Sequence, residues 1–155
     1  MKYARVLVPW LVLLSLIPAQ AAVRGKDVKY VGGTLAGMPE NAEGQFDLSR
    51  EDGAVFTAKS GQTVFIPYKN VESLEYGQKA GRRVGVALAV SPLFLFSKKR
   101  KHFLSIGFVD DQGRKQGAVF QLAKGIVRDA LTTFETRSGK KIEYESEEAR
   151  KHAGS

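Results

Sequence analysis

Acid–base, nucleophile-activating or metal chemistry in this chain would have to begin at its two histidines, His102 and His152. A hydrolase triad sets a histidine between a carboxylate and a hydroxyl or thiol, and a zinc site needs three or four ligands at fixed spacing. His102 instead closes the run Lys98-Lys99-Arg100-Lys101, whose charge opposes its protonation, and His152 stands near the C-terminus. Neither has a carboxylate or ligand partner at local spacing. Carboxylate pairs of the glycosidase kind would need acids meeting across a cleft. Here Glu51-Asp52 and Asp110-Asp111 stand just before Gly53 and Gly113, where turn chemistry accounts for them. Gly32-Gly33 and Gly37 lack the strand, helix and acidic residue of a dinucleotide site, and no Gly-Lys-Ser/Thr follows. There is no cysteine, hence no thiolate nucleophile, disulfide framework or lipid-anchoring cysteine. The expectation is a protein that is not an enzyme, with no cofactor and no bound metal.

Residues suited to binding are more plentiful. Arg82-Arg83 and Lys98-Lys99-Arg100-Lys101 flank Val84–Phe96, thirteen uncharged and mostly apolar residues. Three conformations fit that stretch. As a strand pair, Val84, Val86, Leu88 and Val90 alternate with small residues and Ser91-Pro92 bends the chain. As a helix, Gly81, Gly85 and Ala89 form a small-residue stripe. As an interfacial segment, it dips into a lipid surface while its basic flanks meet anionic headgroups. Thirteen helical residues reach only about 20 Å, short of the roughly 30 Å hydrocarbon core, so this is not a second membrane span. Arg82, Arg83, Lys98, Lys99, Arg100 and Lys101 are the candidates for anionic contact, with Phe94 and Phe96 as apolar anchors. The basic run also suits phosphate contact in nucleic-acid binders, but export disfavours that partner, and lysines also guard exposed strand edges.

Export is read from the N-terminus. Lys2 and Arg5 precede an uncharged run, Val6–Ile17, and then Pro18-Ala19-Gln20-Ala21-Ala22, the three-part order of a secretory signal with a small-x-small cleavage pattern after Ala21. Losing residues 1–21 removes two basic residues and no acidic ones, taking the formal charge of the 155-residue chain from +8 to +6. The expected location is the periplasm or exterior, with peripheral membrane association. A basic domain favours anionic partners, here a lipid surface or an envelope protein.

These segments are positioned by a β-rich body. Residues 22–44 are Gly-rich, with a short strand at Lys29–Val31 or Thr34–Ala36. Phe46 and Leu48 alternate with polar neighbours, Glu51-Asp52-Gly53 turns, Val55-Phe56 opens the next strand and Lys59-Ser60-Gly61 turns again. Thr63–Tyr76 divides into two strands at a corner spanning Pro67–Asn70, since proline belongs at an edge or corner. His102–Val109 and Gly117–Ala123 form a hairpin about Asp110–Gly113. Ile126, Val127, Ala130, Leu131 and Phe134 then fall on one helical stripe that ends at Ser138-Gly139. Ile142 and Tyr144 alternate as an edge strand, and 146–155 reads as a charged tail, either a frayed helix or disordered.

This order resembles the pleckstrin-homology-like superfold, notably its bacterial and GRAM-like branches. The resemblance is carried by Val64–Tyr68 running into Val71–Leu74, by Phe103–Val109 paired with Val119–Leu122, and by the helix Ile126–Phe134, and it covers Gln45–Gly139. It implies a mainly β (α+β) fold: an antiparallel barrel or sandwich of about seven short strands with one C-terminal amphipathic helix, at about 125–138 within a domain of residues 45–145. It also implies binding over catalysis. The function expected is an exported, non-catalytic binding module at the bacterial envelope. The alternative is a structural or assembly protein in which residues 84–96 form core or an oligomer interface.

Overall fold

The computed structural model describes residues 28–78 and 101–153. Eight strands form one curled half-barrel sheet: β1 Val28–Gly33, β2 Ala42–Asp47, β3 Gly53–Ala58, β4 Thr63–Pro67, β5 Val71–Gly77, β6 His102–Val109, β7 Lys115–Leu122 and β8 Ile142–Tyr144. Their order across the sheet is β4-β3-β2-β1-β7-β6-β5-β8. Helix α1, Val127–Ser138, follows β7, and helix α2, Glu147–Ala153, ends the described chain. The fold is thus mainly β, as the alternation of short strands predicts, with a second short helix beside the one that the switch in period predicts.

Several local expectations are met. Pro67 closes β4 at the sheet edge, and Tyr68–Asn70 makes a single 3-10 turn before β5. The hairpin pairs His102 with Leu122 and Val109 with Lys115. On α1, Val127, Ala130, Leu131 and Phe134 are buried. Gly139 caps the helix at φ 69°, donating its N–H to Glu135 O at 3.0 Å, a left-handed conformation that glycine adopts without the Cβ clash.

The core is built from aromatic rings facing inward. Phe120 on β7 packs against Tyr30 at 5.7 Å, Phe46 at 4.6 Å and Phe56 at 5.1 Å between ring centroids. Phe134 on α1 enters this cluster edge-on to Phe46 and Tyr68. The helix therefore stoppers one end of the curled sheet. Arg137 fastens it there, donating to the carbonyls of Leu48 and Arg50 in the β2–β3 turn while its guanidinium lies 5.5 Å from the centre of the Tyr68 ring.

Two expectations need correction. The strands number eight rather than about seven, and the sheet is not wholly antiparallel. After α1 the chain comes back alongside β5 and β8 pairs parallel to it, Leu74 with Ile142 and Tyr76 with Tyr144. Parallel pairing requires such a returning connection, which strand patterning alone does not reveal. Of the two forms expected for the charged tail, helix or disorder, the helix is found as α2, with Ala149 and Ala153 buried. Ser146 supplies its cap, the hydroxyl oxygen accepting the Ala149 N–H at 3.1 Å. The short strand expected at Lys29–Val31 within the Gly-rich 22–44 segment is found as β1, and it lies in the middle of the sheet between β2 and β7.

Candidate functional site

With α1 across one end, the opposite end of the sheet is formed by three connections: β1 to β2, β3 to β4, and β6 to β7. They surround an open cleft of about 370 Å³, within the range of ligand sites, walled by Leu35, Val64, Phe65 and Phe108 over a polar floor that includes Asp110 and Gln116.

The floor begins with Asp110, whose type suits a turn. Its carboxylate accepts the backbone N–H groups of Gln112 and Arg114, both at 2.9 Å, so the tip of the hairpin folds around it. Arg114 Nε at 2.8 Å and Gln116 Nε2 at 2.9 Å complete its shell. These donors, the Arg114 backbone N–H foremost, hold the Asp110 carboxyl down at about 2. Gln116 carries the network across strands: its Oε1 accepts the Thr34 hydroxyl at 2.6 Å, and Thr34 Oγ1 accepts the Gly117 N–H at 2.9 Å. The β1–β2 turn is thereby locked to the β6–β7 hairpin, and the floor is set before any ligand arrives.

The remaining wall is the edge strand β4. Ala58 N–H donates to Gln62 O at 2.8 Å, and Tyr68 N–H donates to Asp52 O at 3.1 Å, one bond at each end of the β3–β4 pair. Bonded and non-bonded positions alternate in an antiparallel ladder, so Val64 and Ile66 are the residues bonded to β3. Thr63 and Phe65 turn their N–H and C=O groups outward, where no further strand lies among the described residues. Pro67 falls in this outward set, where its missing N–H costs the ladder nothing. The Phe65 ring lies over Gly53, where a Cβ would come within 2.4 Å of it, and under the Arg50 guanidinium at 5.4 Å.

Of the residues singled out for anionic contact, Arg82, Arg83, Lys98, Lys99 and Arg100, with the anchors Phe94 and Phe96, lie outside the described residues. Lys101 is described: it is half-buried and immediately precedes β6. Asp110 follows the other end of that strand, roughly 30 Å of extended chain away at 3.3 Å per residue. Lys101 and the cleft therefore belong to different ends of the molecule.

The histidines lie at the Lys101 end. Tyr76 Oη and His102 Nδ1 are 2.5 Å apart, and their rings stack. Burial, followed by the nearby His152 and Lys124, lowers the His102 pKa. Burial also pushes Tyr76 up to about 12, so its hydroxyl keeps its proton, and the imidazole tautomer sets which of Oη and Nδ1 donates. This pair braces β5 against β6. The turn acids are likewise held locally, Asp52 by a bidentate pair with Arg50 at 2.7 and 2.9 Å. Among the described residues no three His, Cys, Asp or Glu side chains are grouped to hold a metal ion, and no helix is long and apolar enough to cross a membrane.

Sequence reasoning missed Thr34, Gln116 and the outer edge of β4, which come together only through strands distant in sequence. The spacing of Asp110, Gln112 and Arg114 around Gly113 was the available signal, a carboxylate placed to accept N–H groups two and four residues on. A scan of protein-family models finds no match to this chain, and a search of curated proteins finds none either.

Proposed function

We propose that this chain is an exported, non-catalytic binding module of pleckstrin-homology-like build that presents its open cleft to a partner protein at the bacterial envelope. The observation that carries the reading is the prebuilt cleft, with a hydrogen-bonded floor at Asp110, Gln116 and Thr34 and, as one wall, a strand edge unpaired among the described residues. A site organised before binding loses little entropy when a partner docks. The seven-strand run β1–β7 followed by a helix across one end supports the superfold, and Lys2 to Ala21 support export.

The basic-flanked segment serves as the second contact. Arg82, Arg83, Lys98, Lys99, Arg100 and Lys101 meet an anionic lipid surface, with Phe94 and Phe96 as anchors. The segment connects β5 to β6 at the end of β6 remote from the cleft, so a module resting on lipid through it turns the cleft away from the membrane.

Co-sedimentation of the processed protein with vesicles tests the reading. Pelleting with phosphatidylglycerol vesicles, lost at high salt and absent with phosphatidylcholine, is the expected result. A stable dimer indifferent to lipid would support an assembly role instead.

A further inference from the structure

We propose that the convex face of strands β1, β7 and β6 is an intramolecular docking site for residues Val84–Phe96, which rest against it in the free protein. The inference goes beyond the cleft and its partner: it gives the apolar run a place on the domain itself, for which a lipid surface has to compete.

Alternation along the strands separates the two faces of the sheet. On β6 Leu104, Ile106 and Phe108 belong to the aromatic core, so Phe103, Ser105 and Gly107 face the other way. On β7 Ala118, Phe120 and Leu122 are core, which leaves Gly117 and Val119 on the convex side. Val31 joins them at the bulge of β1 between Tyr30 and Gly32. On an uncovered face, cross-strand neighbours shield the flanks of a side chain and leave its top in water. Here Val31 and Val119 are 0% exposed and Phe103 and Ser105 2%. On β2 the same side of the sheet carries Glu43, Gln45 and Asp47, all exposed. The convex side is therefore wet over β2 and dry over β1, β7 and β6.

None of the described helices or strands supplies this cover. The buried residues of α1 and α2, among them Phe134 and Ala149, belong to the core on the opposite side, and β8 extends the sheet beyond β5. The face is dry within a single chain, so its cover is a stretch of this chain outside the described residues, apolar enough to rest on a phenylalanine and two valines.

Two stretches meet that condition, Val6–Ile17 and Val84–Phe96. The first belongs to the proposed export signal, and the residues between that signal and β1, Ala22–Asp27, include Arg24, Lys26 and Asp27. The second is tethered where it is needed. Gly77 pairs with Phe103, so residues 79–100 leave the sheet and return to it beside that ring. Three strand spacings, about 14 Å, separate β5 from β1, and half of a segment this long extends about 36 Å. Gly107 and Gly117, paired and buried along that path, have no side chain to hold the segment off.

The chain has no cysteine, so Ser105→Cys places a single thiol on the convex face with almost no change in size. Its alkylation by N-ethylmaleimide is followed in the full chain and in the form that begins at Ala22. In both it should be at least tenfold slower than in the same variant with residues 84–96 replaced by thirteen Gly and Ser residues. Rapid labelling with residues 84–96 intact would overturn the proposal, as would slow labelling that survives their replacement. Protection found in the full chain and lost in the form from Ala22 would assign the cover to the N-terminus and overturn it too. Should the replaced variant misfold, nuclear Overhauser contacts make the same test on the unsubstituted protein: the Phe103 ring is expected to contact valine or leucine methyl groups within residues 84–96, and contacts only to other residues would overturn the assignment.

Discussion

Tyr76 Oη lies 2.5 Å from Nδ1 of His102, and the carbonyl of the same tyrosine accepts the Glu145 N–H at 2.9 Å, so one residue of β5 ties down both β6 and the chain leaving β8. Protonating His102 places a charge on a partly buried imidazole beside His152 and Lys124, which opposes the first of these ties. The folded-state pKa is lowered, so the stabilising contribution is complete above the unfolded value of 6.5 and is lost as pH falls below it towards the folded value. Melting temperature should therefore drop between pH 7 and 5. His102→Asn, which keeps an acceptor that does not titrate, should remove a large part of that drop; an unchanged slope would place the titration elsewhere.

Asp110 gives a second pH signature, in a more acidic window. Its folded pKa of about 2 lies below the unfolded 3.8, so its contribution is present above 3.8 and is lost as pH falls towards 2. Asp110→Asn should be less stable than the parent at pH 6 and should lose less on acidification from pH 4 to 2. Parallel stability profiles for the two proteins would contradict the bonding assigned to this carboxylate.

Removing the Thr34 hydroxyl tests the floor of the cleft. Thr34→Val leaves the Gly117 N–H and Gln116 Oε1 without the partner they share, at a cost of about 1–3 kcal/mol in chemical denaturation. A loss under about 0.5 kcal/mol would mean that water replaces the hydroxyl without penalty.

The stopper helix makes a larger prediction. Phe134 is fully buried and meets Phe46 and Tyr68 edge-on, so Phe134→Ala should cost about 3–5 kcal/mol through lost contacts and the cavity left behind. Ser146→Ala, which removes only the cap of α2, should cost about 1 kcal/mol.

How much of this was legible in the sequence follows the range of the interactions. Pro67 at its corner, the Asp110 hairpin, the α1 stripe and its Gly139 stop are set by neighbours within a few residues, and the local pattern predicts each. The central place of β1 depends on pairing Val28 with Leu122, and the parallel seat of β8 on pairing Ile142 with Leu74, contacts that no local period encodes. The sequence leaves α2 open between a frayed helix and a disordered tail because its buried face consists only of Ala149 and Ala153, too small to stand out among charges. The cleft was missed for a similar reason, since Thr34, Thr63 and Asp110 are unremarkable polar residues until the sheet brings their turns together. The basic-flanked segment, in contrast, was conspicuous through composition alone.

The two-ended arrangement is tested most directly by NMR of the isotopically labelled protein on phosphatidylglycerol vesicles doped with a gadolinium-chelating lipid. Paramagnetic broadening should concentrate on the amides of Lys101, His102 and Lys124 and spare Thr63, Phe65 and Asp111–Arg114. Broadening strongest at Asp111–Arg114 and Thr63 would put the cleft itself on the membrane and contradict a cleft turned towards a protein partner.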